Sequence, residues 1–105
     1  MKSKWKPSLT QLPQTIQNIL SRAITELSPQ SIILFGSRAR NTHRENSDFD
    51  IALLGVENNS KWINFSNQLN EEPWTLYGVD LVLYESLGDD YRTNIQKEGV
   101  LLYEQ

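Results

Sequence analysis

Asp48 and Asp50 stand one residue apart at the head of an apolar run, Ile51-Ala52-Leu53-Leu54, and a third acid, Asp80, opens another, Leu81-Val82-Leu83. Carboxylates beside a hydrophobic core cost free energy unless something binds them. On a strand, positions i and i+2 point to one face, so Asp48 and Asp50 are expected to project together and to repel. A divalent cation relieves that repulsion. With oxygen donors only, a hard ion such as Mg²⁺ suits the pair, and it keeps waters or substrate phosphates in its remaining positions. An adjacent strand that brings Asp80 alongside would complete a one- or two-Mg²⁺ site for phosphoryl chemistry. Taken singly, each acid also fits a plainer account: Asp48 as a turn residue after Ser47, Asp50 and Asp80 as strand ends facing water.

Ahead of the pair lies Gly36-Ser37, separated from Asp48 by ten residues. Glycine lets another group approach the backbone closely, and serine offers a hydroxyl at an expected helix start. Free N–H groups at such a start suit a phosphate. Arg38, Arg40 and Arg44 add guanidinium groups shaped for phosphate oxygens. A solvated helix face is the plainer account of Arg38 and Arg40, and a loop that of Arg44 and His43. Glycine, serine, ten residues and Asp-x-Asp make four fixed positions. At residue frequencies of roughly 5–7%, chance supplies that pattern about once in a thousand chains of this size.

These residues need elements to position them. Ile16, Ile19, Leu20, Ala23, Ile24 and Leu27 recur at helical spacing, which predicts a helix from Pro13 to Leu27 stopped by Ser28-Pro29. Ser31–Phe35 and Asp50–Val56 read as strands, with Asn58-Asn59-Ser60 as a loop after the second. Trp62, Phe65 and Leu69 form an apolar stripe ahead of Pro73, expected to be core and not a cofactor stack. Val79–Tyr84 is a third strand. Ser86 with Asp89 reads as a capping pair for a last helix reaching Glu98, and Gly99 suits a left-handed helix end. Val100–Tyr103 is a fourth, edge strand. The order predicts an α/β or α+β layering of about four strands with helices packed on them.

At 105 residues with 38% apolar content, the chain reads as a single domain over residues 1–105, with residues 1–8 (Lys2, Lys4 and Lys6 around Trp5) as a flexible basic arm. A net charge of −3 argues against a domain that grips polyanions, so direct nucleic-acid binding is not expected. With no cysteine there is no disulfide framework or thiolate metal site, and the single histidine, His43, cannot make a zinc site alone. No run approaches the roughly 20 apolar residues of a membrane span, and the N-terminus lacks a signal-peptide core, so a cytoplasmic protein is expected.

The string LFGSRARNTHRENSDFDIALL resembles the signature of the DNA polymerase beta-like nucleotidyltransferases. More narrowly, it is similar to the minimal nucleotidyltransferases, small antitoxins paired with HEPN-domain toxins. The likeness runs from the first helix through GVDLVLYES to the terminal KEGVLLYE. It implies a mixed sheet with the active site on one face. It also implies that Gly36 and Ser37 hold the triphosphate of ATP, and that Asp48, Asp50 and Asp80 are the metal-binding acids. By the same resemblance, AMP would pass from ATP to a tyrosine of a HEPN toxin and silence its RNase. One departure is Asn41, where relatives often carry glycine. Two other readings stand beside this one. A transferase acting on a small molecule such as an aminoglycoside would need an acceptor-binding domain for which the chain has little room. A non-catalytic antitoxin acting by contact alone would predict eroded acids, and all three are present.

Overall fold

The computed structural model of the chain describes residue 6 and residues 12–40, 48–71 and 78–105. Helix α1 (Gln14–Leu27) buries Ile16, Ile19, Leu20 and Ala23 along one side. Pro13 precedes its first turn, and its carbonyl accepts from the Gln17 N–H at 3.1 Å. The helix ends as its sequence demands: Ser28 turns left-handed at φ 50°, its N–H returns to Ile24 O, and Pro29 cannot extend the ladder.

Strands β1 (Ser31–Phe35), β2 (Phe49–Leu54), β3 (Val79–Leu83) and β4 (Val100–Glu104) form one sheet in the order β3-β2-β1-β4. β1 runs antiparallel to β2 and β4, whereas β2 and β3 are parallel, so the sheet is mixed. A parallel pair needs a crossover, and helix α3 (Ser60–Glu71) supplies it. β2 stops at Leu54, short of the expected Val56. Gly55 takes φ +78° there, and its N–H is held by the Glu85 carboxylate at 3.1 Å, so the chain leaves the ladder. β1 is followed by the single turn α2 (Ser37–Arg40), closed by Ala39 N–H donating to Gly36 O at 3.1 Å.

Strand alternation divides the sheet into two faces. Ile32, Leu34, Phe49, Ile51, Leu53, Leu81 and Leu83 enter a core shared with α1 and α3. There Phe65 is buried, and Trp62 and Leu69 pack against its margin, as their spacing predicts. Arg22 ties the two helices together: its guanidinium lies 5.7 Å from the Phe65 ring centroid and donates to Gln68 Oε1 at 2.9 Å. The opposite face takes helix α4 (Asp89–Glu98), which buries Ile95.

Two local expectations are corrected. The Ser86–Asp89 capping pair does not form: Ser86 ends a 3₁₀ turn (Tyr84–Ser86), and Gly88 takes the cap position without a side-chain bond. Gly99 ends α4 in an extended conformation (φ −67°, ψ 149°), not a left-handed one. Its lack of a side chain serves space instead, since a Cβ would overlap Ile95 O and meet Ile33 Cγ2 at 2.5 Å. The N-cap of α3 is Asn59, read from sequence only as loop; its Oδ1 accepts from Lys61 N at 3.0 Å and Trp62 N at 3.4 Å. Of the expected basic arm only Lys6 is described, its N–H donating to Leu102 O at 2.9 Å on β4. Asn41, His43, Arg44, Ser47 and Pro73 lie outside the described residues.

Leu53 is fully buried at the centre of this core. Leu53→Ala is expected to cost about 2–5 kcal/mol of stability and Asn59→Ala about 1 kcal/mol, read from urea unfolding.

Candidate active site

Because β1 runs against β2 while β3 runs with it, the end of β1 and the starts of β2 and β3 meet at one end of the sheet. The register there is direct: Phe35 lies opposite Asp50, and Asp50 lies opposite Asp80. The acid expected to come alongside from a later strand is therefore the cross-strand partner of the first. Asp50 is half-buried and Asp80 exposed, and both line a cleft of about 570 Å³ between the sheet and α4. Phe35, Gly36 and Val82 complete the sheet side, and Tyr91, Asn94 and Glu98 of α4 form the facing wall.

Gly36 is required by two separate facts. Its φ of +75° is one that side chains rarely adopt, and a Cβ there would overlap Asp50 Oδ2 and lie 3.2 Å from Asp50 Cγ. The Asp50 carboxylate thus lies directly on the turn that follows β1. Asp48 finds a similar seat on the other flank: a Cβ at Gly78 would come within 2.8 Å of Asp48 Cγ. The adjoining Phe49 N–H donates to Gly78 O at 2.9 Å. Asp50 therefore rests against the β1 turn and Asp48 against the entry of β3. Gly78 was not among the residues singled out from sequence; its place directly before Val79-Asp80 is the only signal it offers.

Arg38 does not line the cleft wall. Its guanidinium carbon stands 4.1 Å from the ring centroid of Phe49, whose side chain belongs to the core face, opposite to Asp50. A cation over an aromatic face is an attractive contact, and here it fastens α2 to β2. Ser37 and Arg40 are the first and last residues of α2, and their side chains lie outside what is described.

Among the described residues, no three His, Cys, Asp or Glu side chains form a group that could hold a metal ion. Mg²⁺ does not ask for three; it is commonly held by one or two carboxylates, with water and substrate phosphate filling the octahedron. Asp50 and Asp80, on adjacent strands and lining one cleft, fit that demand, with Asp48 close by in sequence.

Residues 14–105 match the family model described as "Polymerase beta, Nucleotidyltransferase". The chain belongs to that family. Among solved structures it is similar to a toxin–antitoxin complex with AMP-PNP, at 29% identity and a TM-score of 0.62, covering 88% of this chain and 73% of that one. It is also similar to a chain of the tri-AMPylated Shewanella oneidensis HEPN toxin in complex with its MNT antitoxin, at 26% identity and a TM-score of 0.51, covering 88% and 69%. A minimal nucleotidyltransferase shares the fold at 23% identity and a TM-score of 0.62, covering 88% and 93%. No curated protein matches this nucleotidyltransferase chain. Among the described residues, no helix is long and apolar enough to cross a membrane.

Gly36→Ala in this nucleotidyltransferase must strain the backbone and displace the Asp50 carboxylate. The expected loss is about 1–3 kcal/mol in chemical unfolding. Gly78→Ala should cost less, because the Asp48 side chain it meets is exposed and free to swing away.

Proposed function

We propose that this protein is an antitoxin-type nucleotidyltransferase that moves AMP from ATP to a tyrosine hydroxyl of a HEPN-domain RNase partner in the cytoplasm. The observation that carries the reading is Asp50, seated on Gly36 and in register with Asp80 at one cleft. Further support comes from the similar structures, one a toxin–antitoxin complex with AMP-PNP and one a HEPN toxin that carries AMP beside its MNT antitoxin.

In the proposed reaction the tyrosine oxygen attacks the α-phosphorus of ATP. A new O–P bond forms, the bond from the α-phosphorus to its bridging oxygen breaks, and pyrophosphate leaves. A tyrosine hydroxyl titrates near pKa 10, so its proton needs an acceptor at neutral pH. A carboxylate oxygen of Asp80, which is exposed in the cleft, is assigned that proton. Gly36 lets the triphosphate approach the backbone, and Ser37 and Arg40 on α2 are assigned phosphate contacts. Arg38 contributes by holding α2 against Phe49. Asp50, Asp80 and Asp48 are the residues that would hold one or two Mg²⁺ ions, whose charge offsets that of the triphosphate. The rest of the catalysis is positioning. AMP added near an RNase site brings negative charge to where RNA phosphate binds, which accounts for silencing.

Asp50→Asn and Asp80→Asn should each lower transfer by at least about 10²–10³-fold while the fold is kept. The readout is the intact mass of the partner after incubation with ATP and Mg²⁺, with EDTA expected to abolish the AMP adduct. Relief of toxicity in cells by Asp80→Asn, at matched expression and without AMP on the partner, would replace this reading with neutralisation by contact.

A further inference from the structure

The acids account for only one side of the cleft. Its other wall is α4, where Tyr91, Asn94 and Glu98 follow at i, i+3 and i+7 and so share a helix face. Tyr91 is 63% exposed although it lines a concave site. Val82 and Leu87 add apolar surface to the same cleft. A cleft of about 570 Å³ falls within the range of small-molecule sites and exceeds what a triphosphate beside Asp50 and Asp80 would fill. What remains is an aromatic-walled space lined by Val82 and Leu87, with the Asn94 carboxamide beside Tyr91 and the Glu98 carboxylate at the end of the same wall. Such a space suits a flat heterocycle that stacks on the ring and meets a polar group at its edge.

We propose that α4 is the base-recognising wall of the nucleotide site, with Tyr91 as the stacking platform and Asn94 as the reader that selects adenine. The proposal rests on the transferase reading and names the base that it uses. A carboxamide offers one donor and one acceptor side by side, which matches the N7 acceptor and N6–H₂ donor of adenine. Guanine presents two acceptors, N7 and O6, on that edge and leaves the carboxamide oxygen facing O6.

The test is calorimetric titration of the intact protein with Mg²⁺ and three probes: ATP, GTP and inorganic tripolyphosphate, which has phosphates but no base. Tyr91→Ala is expected to weaken ATP binding by about 5- to 100-fold and leave tripolyphosphate binding unchanged. Tyr91→Phe, which keeps the ring, should bind ATP as the unaltered protein does. Asn94→Ala should bring the ATP-to-GTP preference close to one. Unchanged ATP affinity in Tyr91→Ala, or an unchanged preference in Asn94→Ala, overturns the base wall while leaving the transferase reading standing. Failure of the unaltered protein to bind either ATP or tripolyphosphate overturns both.

Discussion

A carboxylate resting on a bare backbone is the contact from which the functional end of this molecule is organised. Asp50 occupies the volume that a side chain at position 36 would need, and the backbone there turns through a conformation open chiefly to glycine. Both conditions hold only if β1 and β2 pair in the register that sets Phe35 against Asp50. The turn, the strand register and the place of the acid are therefore one constraint. The parallel pairing of β2 with β3 extends it by a step, since it sets Asp80 opposite Asp50. A one-residue slip on either side would send an acid to the core face and an apolar side chain into the cleft.

The sheet separates stability from chemistry by face. Its inner face is closed by α1 and α3 around Ile16, Leu20, Ile32, Ile51 and Phe65, with no buried charge among the described residues. Its outer face is only partly covered, because α4 seats Ile95 near one end and leaves the acids in contact with solvent. Gly99 permits that approach, letting the end of α4 close onto Ile33. Arg38, beside the glycine–serine turn, reaches the inner face as well, with its guanidinium over the Phe49 ring.

Much of this was legible in the residues. Apolar periodicity marks α1 within one residue at its start and β1 at both ends, because a buried stripe is what each needs to exist. The family resemblance, carried by Gly36-Ser37 and Asp48-x-Asp50, is borne out by the match over residues 14–105. What the residues did not disclose is contact across long separations. Gly78 serves Asp48, Gly55 is pinned by Glu85, and Gly99 makes room for Ile33. None of these has a periodic signature. Asn59 was missed for a different reason: an asparagine in a loop and one capping a helix look alike until the helix start is fixed.

The order β3-β2-β1-β4 also bears on how the molecule folds. β1 and β2 join through a local connection, whereas β4 must return from the far end of the chain to pair with β1. Closing a long loop costs conformational entropy before any contact compensates, so non-local pairing is intrinsically slow. The strands that carry the acids are joined earlier along the chain than the strand that completes the sheet. Of the three strand pairings, the one between β1 and β4 therefore carries the largest loop-closure cost.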